Sequence, residues 1–163
     1  MTEPVSVSRR IAAPADALFG ILSDPDRHPE IDGSGMLRGP EGGATPLTGV
    51  GDAFAMRMRN PDVDDYVMTS RVVEYEPGRR IAWEPVMSAV SDPAYEDRVG
   101  VPGKYRWGYE LAPDGDATVV TETYDCARSP EWLREATRNG ENWIPAMKKS
   151  LENLERIAVT SVR

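Results

Sequence analysis

Six polar side chains fall at strand positions from which they could reach an interior: Tyr66, Ser70, Tyr109, Glu110, Thr121 and Glu122. A phenol or carboxyl held inside a protein can give or take a proton. A carboxylate or guanidinium buried there needs a partner, which makes it a candidate site. For the strand expected over 65–76, Ser70 and Arg71 compete for the inside, and a slip of one residue exchanges them. Other chemistries have less footing. His28 is the only histidine, so no histidine pair and no histidine-rich metal site can form. It stands between Arg27 and Pro29 in a turn expected to be exposed. Cys126 is the only cysteine, so no intrachain disulfide is possible, and with no histidine to pair with it is read as a structural thiol. Asp62, Asp64 and Asp65 lack the glycine and distal glutamate of a calcium loop and read as a solvated turn. Gly33, Gly35 and Gly39 lack the spacing of a phosphate loop, and no serine elbow is present. The expectation is no metal and no cofactor, with catalytic residues unassigned.

The apolar residues are more telling. Phe54, Met56, Met58, Tyr66, Trp83, Trp107, Tyr109, Trp143 and Met147, with Tyr105, fall on faces expected to point inward. Methionine adapts to irregular apolar shapes, and tyrosine or tryptophan adds one polar contact. Such a lining suits a small apolar ligand. The competing reading is a packed core with no ligand.

The elements that must position these residues follow from periodicity. Residues 5–11 alternate as a half-buried strand. Pro14 suits the first position of a short helix whose inner face is Ala17, Leu18, Ile21 and Leu22, and a second helical turn is expected over 26–31. Phe54, Met56 and Met58 alternate with Arg57 and Arg59 over 52–59, a strand. Strands follow over 65–76, 80–84, 104–111 and 117–124, with hairpin turns at Pro77-Gly78 and Asp114-Gly115. Residues 86–103 read as a long irregular link, either a lid or a plain surface loop. Ser129-Pro130 should start a helix that runs to about Arg138, and Asn139-Gly140 breaks it. Over 142–159, Trp143, Met147, Leu151, Leu154 and Ala158 form one stripe of a helix about 27 Å long. That helix needs a broad apolar surface, and consecutive hairpins supply one as an antiparallel sheet.

Composition narrows the function further. The chain has 163 residues, which suits one domain spanning 1–163, with 40% hydrophobic content and a net charge of −8. The acidity argues against a nucleic-acid partner and against an anionic membrane surface. No signal peptide is apparent from Met1-Thr2-Glu3-Pro4, and no run is apolar enough to span a membrane. A cytoplasmic location and a monomer or homodimer are expected.

Residues 11–30, with Pro14, Asp24-Pro25 and His28-Pro29, resemble the opening of the START/Bet v 1-like (SRPBCC) superfamily. Within it, the similarity is to the bacterial polyketide cyclase/dehydrase and lipid-transport group. Residues 71–83 resemble that group's central hairpin, and Trp143 to Leu154 its closing helix. The resemblance implies an α+β helix-grip fold: a curved antiparallel seven-stranded sheet around a long C-terminal helix, with two short helices near the N-terminus. It also implies a hydrophobic or amphipathic small molecule, lipid-like or polyketide-like, held between sheet and helix. Position 28 is often near the cavity mouth in such proteins. The main expectation is a binding or carrier protein. The alternatives are a polyketide aromatase/cyclase or dehydratase using the same cavity, and a scaffold or regulatory protein with no ligand.

Overall fold

The computed structural model describes residues 3–161; the expectation drawn on Met1 and Thr2 lies outside them. Seven strands form one antiparallel sheet: β1 (Val5–Ile11), β2 (Leu37–Pro40), β3 (Ala53–Asn60), β4 (Asp64–Glu76), β5 (Arg80–Val90), β6 (Arg106–Asp114) and β7 (Ala117–Asp125). Their order is β1-β7-β6-β5-β4-β3-β2. Neighbours from β2 to β7 follow chain order, as hairpins require. The first strand departs from that order by closing on the last, with Val5 opposite Tyr124 and Ile11 opposite Thr118.

The helices are α1 (Ala15–Leu22), α2 (His28–Ile31), α3 (Glu131–Ala136) and α4 (Ile144–Ser161). The stripe on α4 buries as its spacing predicts, with Met147, Leu151, Leu154 and Ala158 each about 1% exposed or less. Burying each Met or Leu contributes roughly 2 kcal/mol. The helix lies mainly against β1, touches α1 and α2, and meets β7 only at its margin. Helix α1 packs against β6, and its Phe19 ring meets Tyr75 of β4 edge to face at 5.4 Å. Among the described residues no helix is long and apolar enough to cross a membrane.

Several local expectations are corrected. Strand β5 continues to Val90, so the expected link over 86–103 begins as strand over 86–90, followed by a 3-10 helix at Pro93–Arg98. Pro14 is the N-cap of α1 and not its first residue. Pro130 caps α3, and the Ser129 hydroxyl is buried without a partner instead of capping. Helix α3 ends at Ala136, and Arg138, Asn139 and Gly140 all take positive φ, which breaks the chain there. Trp143 lies in the 3-10 turn Glu141–Trp143 before α4, not in the helix. Gly140 (φ 90°) could not be another residue without contact: a Cβ would stand 2.6 Å from the Tyr124 ring.

Candidate functional site

Alternation along β7 brings Thr118, Val120, Glu122 and Tyr124 to the inner face, and all four are buried. Directly opposite on β6, Tyr109 faces Glu122 and Trp107 faces Tyr124; on β5, Ile81 faces Tyr109 and Trp83 faces Trp107. On β3 and β4 the opposed inner pairs are Phe54–Ser70, Met56–Met68 and Met58–Tyr66. This settles the open register: Ser70 is inside at 4% exposure and Arg71 is outside.

Glu122 is the exceptional residue of this face. It is 5% exposed, and its Oε1 has no hydrogen-bond partner. Burial pushes its carboxyl up to about 8, and the negative field of Asp32 adds to the shift. The Tyr109 hydroxyl opposes it by favouring the ionised form. Tyr109 itself is pushed well up by burial and by Glu122. Neither group acting on Glu122 is a cation. The arginines of the central sheet lie elsewhere: Arg106 binds Glu84 (2.8 Å) and Glu74 (3.1 Å), and Arg80 binds Glu110, all in partly exposed ion pairs.

Asp32, in the turn after α2, is a placed group. Its Oδ1 accepts from the Ser34 N–H (3.0 Å) and hydroxyl (2.7 Å), and its Oδ2 accepts from the Leu37 N–H (3.1 Å). The turn is fastened to α4. The Gly33 N–H donates to Ser150 Oγ (2.8 Å), and Asn153 Nδ2 donates to the Ile31 carbonyl (2.9 Å). Only glycine fits at 33, where a Cβ would lie 2.2 Å from the Ala146 carbonyl oxygen. The Asp32-Gly33-Ser34 triplet carries the signal of a side-chain-closed turn, but nothing local says that the turn docks on α4.

The aromatic and methionine residues separate into two groups. Phe54, Met56 and Met147 are fully buried packing residues. Met58, Tyr66, Trp83, Trp107, Tyr109 and Trp143, with Tyr105 and Met68, turn inward yet stay half-buried. Tyr109 keeps accessible surface. Trp107 and Trp143 meet edge to face at 5.6 Å, and Trp143 Nε1 is a buried donor without a partner. Two open grooves, of about 820 Å³ and about 490 Å³, mark the β2–β3 side of the molecule. The smaller includes Met58 and Tyr66 in its lining, and neither is lined by Glu122 or Tyr109.

His28 is corrected from exposed to buried, at 6% exposure. Its Nε2–H donates to the Leu22 carbonyl (2.8 Å), its ring stacks on Trp83 at 5.1 Å, and it meets the Phe54 ring in a T-shaped contact at 5.4 Å. Burial lowers its pKa, which keeps it neutral. Of the remaining polar candidates, Glu110 is exposed and Thr121 meets the Ser8 hydroxyl (2.7 Å) away from the interior. Tyr66 is half-buried with its hydroxyl on Met36 Sδ at 3.8 Å. Asp62, Asp64 and Asp65 are exposed, and no cluster of metal-ligating side chains occurs among the described residues.

Known proteins share this arrangement. An uncharacterized protein of Mycobacterium tuberculosis, Rv0088, is 36% identical over 122 residues, covering 74% of this chain and 46% of that protein. The chain thus spans about half the length of the curated relatives it matches. The crystal structure of Ms6760 from Mycobacterium smegmatis superposes with a TM-score of 0.70 at 15% identity, covering 99% of this chain and 94% of that one. DynU16, a protein of the dynemicin biosynthetic locus, has a TM-score of 0.58 at 20% identity, covering 97% of this chain and 48% of that one. At such identities the superpositions speak for the fold alone. The family model for polyketide cyclase/dehydrase and lipid transport matches residues 2–159. With its seven-stranded sheet, short helices and long closing helix, this chain belongs to the polyketide cyclase/dehydrase and lipid transport family.

Proposed function

We propose that the protein binds an apolar or amphipathic small molecule between the inner face of β4–β6 and α4. One observation carries this reading: the inward aromatic and methionine side chains of these strands keep accessible surface, and α4 lies mainly against β1. A well-packed core closes over such residues, whereas a ligand site leaves them lining a space with few polar groups. The family's lipid-transport membership supports the same reading. The test is native mass spectrometry of freshly purified protein, followed by titration with Nile red, a neutral dye. The reading expects a co-purifying small molecule or saturable dye binding that Trp107→Ala weakens. Absence of both a retained molecule and saturable binding refutes it.

A second reading, cyclase or dehydratase chemistry in the same space, is favoured by the Glu122–Tyr109 pair. A carboxyl titrating near neutrality beside a phenol is what general acid–base catalysis uses. The two readings part at the released compound. A carrier returns an offered poly-ketone unchanged in mass and connectivity, and an enzyme returns it cyclised or dehydrated.

A further inference from the structure

We infer that Glu122, braced by the Tyr109 hydroxyl, is the hydrogen-bond donor for the carbonyl oxygen of an uncharged ligand, and that the interior discriminates against carboxylate- and phosphate-bearing amphiphiles. The inference rests on the binding site proposed above and names the ligand chemistry it takes. Its basis is placement. Glu122 and Tyr109 stand directly opposite each other on β7 and β6, both inside. Glu122 Oε1 is buried without a partner. The groups that face Glu122 from the packed elements are few: Tyr109 from β6, Asp32 from the turn after α2, and Val7 opposite it on β1. The buried residues of α4, namely Met147, Ser150, Leu151, Asn153, Leu154 and Ala158, do not titrate, and Arg9 of β1 is paired with Glu155 of α4 (2.8 Å) in a partly exposed position. No cation is among the groups acting on Glu122. A buried carboxyl with no cation beside it is held as the neutral acid, and a neutral carboxyl offers one O–H. The Tyr109 O–H is turned to Glu122, so the carboxyl supplies the one free donor in a place where an anionic head group would meet Asp32 and no compensating charge.

The experiment displaces Nile red with 2-decanone, decylamine and decanoate at pH 7.0 and 9.5. It uses the full chain, with circular dichroism confirming the fold at each pH. At pH 7.0 the ketone should bind at least about tenfold more tightly than decanoate. A group titrating at about 8 is roughly 3% neutral at pH 9.5, so ketone affinity should fall by up to about thirtyfold. Tyr109 stays protonated over this range, because its pKa lies well above 10. Glu122→Gln, whose amide still donates, should abolish the pH dependence, and Tyr109→Phe, which removes a hydroxyl that favours the ionised carboxylate, should make the fall in ketone affinity between pH 7.0 and 9.5 smaller. Decylamine binding more tightly than the ketone and strengthening at pH 9.5 would show recognition by an ionised carboxylate and overturn the inference. Equal ketone affinity at both pH values in the wild-type chain overturns it as well, without need of any variant. Failure of Nile red to bind at all refutes the binding site itself, a different result from binding without the ketone preference.

Discussion

Replacing Glu122 by glutamine should make the protein more stable as the solution turns alkaline, and by a calculable amount. In the folded chain the carboxyl titrates near about 8, and in the unfolded chain near its ordinary value of 4.5. Between these values the folded state holds a proton that the unfolded state has released. Stability therefore falls as pH rises, by about 1.4 kcal/mol per pH step, and levels off above the folded value. Glutamine is close in shape and does not titrate, so it removes this slope. The advantage of Glu122→Gln over wild type should grow by about 3 kcal/mol between pH 5.5 and 7.5. That is a large share of a typical 5–15 kcal/mol. Urea unfolding followed by tryptophan fluorescence, at half-unit pH steps from 5.5 to 9, measures it. Contributions from other groups are common to both proteins and cancel in the difference. A difference constant to within about 0.5 kcal/mol over that range would show that Glu122 is ionised and solvated in the folded protein, and would remove its special role.

Further tests address separate features. Gly33→Ala places a Cβ 2.2 Å from the Ala146 carbonyl oxygen and forces the Asp32 turn off α4. A loss of at least about 2 kcal/mol in urea unfolding is expected, and a loss below 0.5 kcal/mol would show that the turn is not docked. Trp107→Ala removes a ring packed on Tyr124 (4.6 Å) and Trp143 (5.6 Å). It should cost about 3 kcal/mol of stability and about tenfold in Nile red affinity, and unchanged dye affinity would take Trp107 out of the site. His28 is buried neutral with a lowered pKa, so the unfolded chain takes up its proton first on acidification. Stability should accordingly fall as pH drops below about 6.5. His28→Gln should lose that component, and an NMR titration showing His28 charging at or above 6.5 would contradict the burial.

Much of this fold can be read from periodicity alone. The alternation of Phe54, Met56 and Met58 with Arg57 and Arg59 places a strand and its inner face, and the spacing from Met147 to Ala158 places the closing helix and its buried stripe. These patterns are local, and each residue's neighbours repeat the same signal. The misreadings arise where partners distant in sequence decide. His28, flanked by Arg27 and Pro29, reads as exposed, and only the fold brings Trp83 and Phe54 against its ring. Residues 86–90 lack clear alternation, yet β4 is long enough to pair with them and extend β5. The Ser70/Arg71 ambiguity ends in favour of Ser70 because Phe54 opposite it is inward. Glu122 was one of six polar candidates of equal standing. What distinguishes it is burial with one carboxyl oxygen left unpartnered, a property of tertiary arrangement that no spacing encodes.

The pairing of β1 with β7 also bears on how the molecule forms. Val5 meets Tyr124, 119 positions further along the chain, while β2 to β6 each pair with the strand that follows. During synthesis the opening segment must wait, unpaired, until the last strand has left the ribosome. Long-range closure of this kind slows folding, so β1 docking should be the late, rate-setting event, and a chain stopped short of residue 117 should leave its first strand without a mate.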